Sequence, residues 1–105
     1  MNFGERKIEA SNLPELDSFE KSRIESALIA SFDKMHKIVD KEMLLNAHFK
    51  QHEAEGTRKK SSVHLKLSFP GKTIVASDSG WDALSVLQNA LKTLERETLS
   101  SVKRR

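Results

Sequence analysis

Residues 63–94 read VHLKLSFPGKTIVASDSGWDALSVLQNALKTL, and this stretch decides the fold. Apolar and polar side chains alternate from residue 63 to residue 69, which is the pattern of a half-buried strand. Pro70-Gly71 is a turn signal, because proline presets φ and glycine accepts a positive φ. The β-branched run at residues 73–77 then predicts the returning strand of a hairpin.

A long amphipathic helix is predicted directly after this hairpin. Ser79 precedes Asp82 by three residues, which resembles a capping box with aspartate in place of glutamate. Spacings of three and four then place five large apolar side chains on one helical stripe: Trp81, Leu84, Leu87, Leu91 and Leu94. We expect Trp81 to pack in the core, and the helix to run to about Leu99 before a frayed tail begins at Ser100.

The first half of the chain predicts a strand, a helix and a second strand. A short strand is expected at residues 6–10. Asp17 and Glu20 form a capping box for a helix ending near Ile38, with a stripe of Ile24, Leu28, Phe32, Met35 and Val39. Residues 45–50 alternate as a strand. The charged residues 51–61 predict an exposed, mobile hairpin loop.

The element order is therefore β-α-β-β-β-α, an α+β fold within a single domain spanning residues 1–105. Both helices are expected to pack on one face of a four-stranded sheet, because each has one apolar stripe. The other sheet face should contact water, which an antiparallel sheet tolerates. Its predicted residues are Asn46, His48, Lys50, His64, Lys66 and Ser68.

Composition excludes several classes of protein. The chain is 37% hydrophobic and 31% charged, as expected of a soluble globular domain. No apolar run approaches the about 20 residues of a membrane span, and the N-terminus lacks the apolar region of a secretory signal. The chain contains no cysteine, which excludes disulfides, thiol catalysis and zinc-thiolate sites. We therefore expect a cytoplasmic protein with no membrane partner.

The net charge is +3, and the basic residues are concentrated in the predicted loop, the hairpin and the C-terminus. Such a surface favours phosphate-bearing partners with a salt-sensitive affinity. The alternative is that these charges only keep a small domain soluble.

No pattern of catalytic residues is present in the sequence. His48 and His52 have a metal-ligand spacing for a helix, but here the spacing starts in a strand and enters a loop. The four glycines are scattered, so there is no glycine-rich phosphate loop, and no serine lies in a nucleophile-elbow pattern. We expect no enzymatic activity, no metal and no cofactor.

The order of elements, together with Ile74-Val75-Ala76-Ser77-Asp78 and the segment Trp81-Asp82-Ala83-Leu84, resembles the ribosome-hibernation factors. The leucine-rich, charged helix end at Leu91 and residues 94–97 is similar as well. These proteins are also called hibernation-promoting factors or ribosome-associated translation inhibitors. The chain resembles their short form, without the C-terminal dimerisation domain of longer members.

The resemblance implies an RNA-contacting stress protein that is a monomer when free. It would lie between the head and body of the small ribosomal subunit and occupy space needed by messenger and transfer RNA. The family usually has lysines or an arginine at four helix positions that are Leu28, Ser31, Ala90 and Thr93 in this chain. An aspartate of the family is replaced here by Ser85. The bases assigned to ribosomal RNA phosphates are Lys34, Lys37, Arg58, Lys59, Lys60, Lys92, Arg96, Lys103, Arg104 and Arg105.

Two other functions remain open from the sequence. A double-stranded-RNA reader has an α-β-β-β-α order that is contained in this one, but that class usually has a basic cluster where this second helix has Asp78, Ser79 and Asp82. A protein-interaction module would instead pair through an exposed sheet edge.

Overall fold

A computed structural model describes residues 1–53, 56 and 59–103, except for the side chains of Glu53 and Lys103. Its elements are β1 (Ile8–Ser11), α1 (Ser18–Val39), β2 (Leu44–Glu53), β3 (Lys59–Phe69), β4 (Lys72–Gly80) and α2 (Ala83–Lys103). The sheet order is β1-β2-β3-β4, with β1 parallel to β2 and the other pairs antiparallel. The predicted α+β fold is confirmed.

Helix α1 begins and ends where its sequence indicates. The Asp17 carboxylate accepts a 2.8 Å hydrogen bond from the Glu20 N–H, and the Glu20 side chain accepts one from the Asp17 N–H, so the capping box is complete. Asp40 ends the helix in the left-handed conformation, with φ of 53°. All five residues of the predicted stripe are buried.

The predicted N-cap of α2 is wrong, because the helix is capped three residues later than expected. Ser79 lies in β4, and Asp82 caps the helix: its carboxylate accepts hydrogen bonds from the Ser85 N–H at 3.0 Å and the Ser85 hydroxyl at 2.7 Å. Trp81 precedes the helix and is 49% exposed, so its predicted place in the core is also wrong. The helical stripe instead uses Val86, which is buried.

The end of α2 also differs from the prediction. The helix continues through Ser100 and Ser101 to Lys103, and Val102 packs against the core. Serine at two successive positions lowers helix propensity only slightly, and the packing of the half-buried Val102 offsets that cost. Ser100 and Ser101 are therefore helical and not a frayed tail, and Arg104 and Arg105 lie outside the described residues.

The hairpin between β2 and β3 is longer than predicted, and most of the proposed loop is strand. Gln51 pairs with Ser61, and His52 pairs with Lys60. Ser61 is buried, although nothing apolar marks that part of the sequence. Backbone pairing does not require apolar side chains, so the ladder continues where the alternation of hydrophobicity stops. Residues 54, 55, 57 and 58 lie outside the described residues.

The core lies between the two helices and one face of the sheet. The helices run parallel, since Ser31 of α1 contacts Glu95 of α2 and Met35, one turn further, contacts Thr98. Gly80 allows β4 to turn tightly into α2, because a Cβ atom there would lie 3.1 Å from Val86 Cγ2. In the described parts of the chain, neither helix is long and apolar enough to cross a bilayer.

Candidate nucleic-acid interface

A groove between α1 and α2 faces away from the sheet and is lined at both sides by lysine. Lys34 projects from α1 and Lys92 from α2, and both are exposed. The small side chains of Ala27 and Ala30 also line the groove, so no large side chain of α1 fills this part of it. Polar side chains of α2 complete the wall: Ser85, Gln88 and Asn89. Lysine and amide side chains are common donors to phosphate.

Glu95 is the one carboxylate that lines this groove among the described residues. Its Oε2 accepts a 2.6 Å hydrogen bond from the buried Ser31 hydroxyl, and its Oε1 lies 3.3 Å from Lys34 Nζ. Glu95 therefore fixes one helix against the other. It also offsets part of the positive charge that Lys34 presents to a partner.

The other predicted bases are divided between two parts of the molecule. Lys37 is exposed one turn after Lys34, and Arg96 is exposed one turn after Lys92. Each helix therefore carries two exposed basic side chains on successive turns. Lys59 and Lys60 are exposed at the start of β3, on the hairpin. The side chain of Lys103 and all of Arg58, Arg104 and Arg105 lie outside the described residues.

The helix positions at which the resemblance places basic residues of the family are mostly buried here. Leu28 and Ala90 are completely buried in the core, and Ser31 is buried beneath Glu95. A charged side chain at these positions would lose its hydration. The basic groups of this chain lie instead on the exposed neighbours Lys34 and Lys92.

Arg6 forms an ion pair that the sequence analysis missed. Its Nε and Nη2 atoms donate hydrogen bonds of 2.8 and 2.9 Å to the two carboxylate oxygens of Asp33 on α1. This bidentate contact holds the pKa of the Asp33 carboxyl below its usual range. Lys7 is paired with Glu42 and likewise lowers the pKa of that carboxyl. No local sequence signal could identify these ion pairs, since the two residues of each pair are far apart in the chain.

The histidines on the open sheet face lie close together but form no metal site among the described residues. His48 and His64, both predicted to lie on this face, are register partners on β2 and β3. The Ser11 hydroxyl lies 2.9 Å from Nδ1 of His48, and the Ser62 hydroxyl lies 3.4 Å from Nε2 of His52. The imidazoles therefore lie among hydroxyl groups.

No protein-family model matches the chain, and no curated protein matches its sequence. Solved structures do match. The N-terminal domain of Protein Y from Thermus thermophilus is 16% identical, with a TM-score of 0.62 over 90% of this chain and 93% of that chain. A ribosomal subunit interface protein from Coxiella burnetii is 20% identical, with a TM-score of 0.56 over 94% and 97% of the two chains. At these identities, the two matches confirm the fold that the resemblance implies.

Proposed function

We propose that this domain is a ribosome-associated protein that binds small-subunit ribosomal RNA and inhibits translation by occlusion. The observation that carries the proposal is the fold, which is shared along nearly the whole chain with a protein described as a ribosomal subunit interface protein. The lysine-lined groove between α1 and α2 supports the same proposal, because it offers donors for phosphate at a rigid, accessible surface.

The action requires binding and no chemistry. Lysine and arginine side chains contact phosphates through charge, so they fix the position of the domain without reading a sequence. The body that they hold in place is a two-layer domain with a buried core, so it fills space rigidly. When it is bound where messenger and transfer RNA must pass, it excludes them from the subunit.

Co-sedimentation of the purified protein with small ribosomal subunits, at low and moderate salt, tests this function. We expect migration with the subunit at low salt and a loss of binding as salt rises, since counterions are released on phosphate contact. Absence from the subunit fraction even at low salt would contradict the proposed function and leave the fold unaffected.

Matched variants locate the interface on the helices. Replacing Lys34 and Lys92 with glutamine should weaken binding and flatten its salt dependence, because two phosphate contacts are lost. The control replaces Lys21 and Lys41 with glutamine, which removes the same charge from exposed positions outside the candidate set. Equal losses in both variants would show that net charge alone is responsible.

The predicted role of the hairpin bases is tested separately. Replacing Arg58, Lys59 and Lys60 with alanine should weaken binding and reduce the salt slope. An unchanged slope would remove these three bases from the interface. If the slope is unchanged, a loss of binding in the Lys34→Gln/Lys92→Gln protein would show that the groove binds without the hairpin bases.

One observation favours a second candidate, a protein-interaction module. Strand β4 is an edge strand of the sheet, and Val75 on it is 66% exposed. Exposed edges can pair with a strand of another protein. A partner that remains bound in a pulldown after RNase treatment, with no migration on small subunits, would support this candidate over the first. The start of α2 argues against a double-stranded-RNA reader, because that class usually has a basic cluster there, whereas this helix is capped by the carboxylate of Asp82.

A further inference from the structure

The open face of the sheet, on the side opposite the helices, collects three of the four histidines of the chain. Register pairing places the outward side chains in rows that cross the strands. One row consists of His48, His64 and Ser77; the next of Lys50, Ser62 and Ser79; and His52 and Lys60 follow along the hairpin.

Two shallow troughs run along this face and share His64 and Ser77. One trough is lined in addition by His48 and Lys66, and the other by His52, Lys60, Ser62 and Ser79. Imidazole, ammonium and hydroxyl groups thus form a continuous set of hydrogen-bond donors. Such a set suits a chain of phosphates rather than a single small ion.

Histidine protonation would change the charge of this face substantially. Among the described residues, three lysines face it: Lys50, Lys60 and Lys66. One carboxylate, Glu9 on β1 beside Asn46, faces the same side, whereas Asp78 borders one trough but pairs with the buried Val63 and so faces the helix side. The described side chains that face this surface therefore give a net charge of +2 with neutral imidazoles and +5 with all three protonated. Histidine changes charge between about pH 5 and 8.

We propose that this open sheet face is a second binding surface, for the ribose-phosphate backbone of single-stranded RNA, and that protonation of His48, His52 and His64 raises its affinity. The inference deepens the proposed function and rests on it for the choice of RNA as the polyanion. The groove and the open sheet face lie on opposite sides of the domain, so one molecule contacts two RNA segments at once.

The composition of the face selects a phosphate backbone over other anions. No arginine lies among its described residues, and arginine is the side chain that recognises carboxylates by paired hydrogen bonds. Among the residues that the structure describes, no aromatic side chain lines either trough, so bases are not held by stacking. Binding is therefore expected to be independent of sequence.

The test measures the affinity of a fluorescent, mixed-sequence single-stranded RNA at constant ionic strength. The Lys34→Gln/Lys92→Gln protein is used, so that the helix groove contributes little. We expect binding to be about tenfold tighter at about pH 6 than at about pH 8, since three cationic groups are added opposite phosphates. The variant His48→Gln/His52→Gln/His64→Gln should lose this pH dependence and keep the weaker, lysine-dependent binding.

His36 supplies a matched control, because it is the fourth histidine and lies on α1, stacked on Phe32. His36→Gln should keep the full pH dependence. Amide chemical shifts on addition of RNA should change around His64 and Ser77, and the triple variant should show smaller changes there.

Three results would overturn the inference: a pH dependence that survives the triple variant, shift changes confined to the helices, or equal competition by polyglutamate. The proposed function fails separately. A protein that does not migrate with small subunits but binds single-stranded RNA through its histidines would refute ribosome association and support this surface.

Discussion

Glu95 connects the two helices and, in the proposed interface, should also oppose binding. It accepts the hydrogen bond of the buried Ser31 hydroxyl and pairs with Lys34 in the helix groove. Glu95→Gln keeps an acceptor for Ser31 and removes the negative charge. We expect affinity for small subunits to rise severalfold, because the charge on Lys34 is no longer offset, and thermal stability to fall slightly.

The control for this prediction is Glu97→Gln, which removes the same charge from an exposed position two residues further along α2. Titration of labelled protein with small subunits at fixed salt compares the two. An affinity that falls in Glu95→Gln would show that the carboxylate orients Lys34 productively and does not compete with phosphate.

The ion pair between Asp33 and Arg6 should contribute to stability in a pH-dependent way. Its pKa is lowered in the folded protein by the hydrogen bonds and charge of Arg6. A carboxyl of this kind stabilises the fold above its unfolded pKa, and the contribution is lost as pH falls through its folded pKa. Asp33→Asn should therefore lower Tm at neutral pH, and the difference from the unsubstituted protein should shrink below about pH 4.

Thermal unfolding across this pH range checks the prediction. Asp40→Asn is the control, because Asp40 is exposed at the end of α1 and asparagine accepts its left-handed conformation. A constant Tm difference for Asp33→Asn down to low pH would show that its effect comes from packing and not from charge.

At the scale of elements, two residues are candidates for the N-cap of α2. The structure assigns the cap to Asp82, whereas the sequence pattern favours Ser79. Asp82→Ala should lower the free energy of unfolding by about 1 kcal/mol, because the Ser85 N–H loses its acceptor. Ser79→Ala should change it much less, since Ser79 is an exposed strand residue. Urea unfolding of both variants measures the two changes in the free energy of unfolding. A larger loss of stability in Ser79→Ala than in Asp82→Ala would contradict Asp82 as the cap.

The elements that sequence predicts well are those with long apolar periodicity. The stripe from Ile24 to Val39 specified α1 almost to its last residue, because every buried position follows the helical repeat. The hairpin of β2 and β3 was underestimated because its outer part is polar and is held by backbone pairing. Trp81 was misplaced because its spacing continued the stripe, although the chain there is not yet helical.

At the scale of the whole molecule, the candidate site depends on packing that no local pattern contains. Lys34 and Lys92 belong to different helices, and they flank one groove only because α1 and α2 lie parallel in a particular register. Sequence supplied the list of bases through composition and resemblance. The structure separates the described bases into a helix surface and a hairpin surface, which face different directions.

The C-terminal bases lead to a prediction about the charge of the entire domain. Deleting residues 103–105 removes three of the bases assigned to RNA, one at the end of α2 and two beyond the described residues. If all three contact phosphate, the slope of log affinity against log salt for small-subunit binding should fall by up to about 2.7. The control, Lys21→Gln/Arg23→Gln/Lys41→Gln, removes the same charge from exposed positions. If the C-terminus contacts phosphate, the slope changes in the truncated protein alone. If only the net charge matters, the slope changes equally in the truncated protein and in the control. The second result would exclude the C-terminus from the interface.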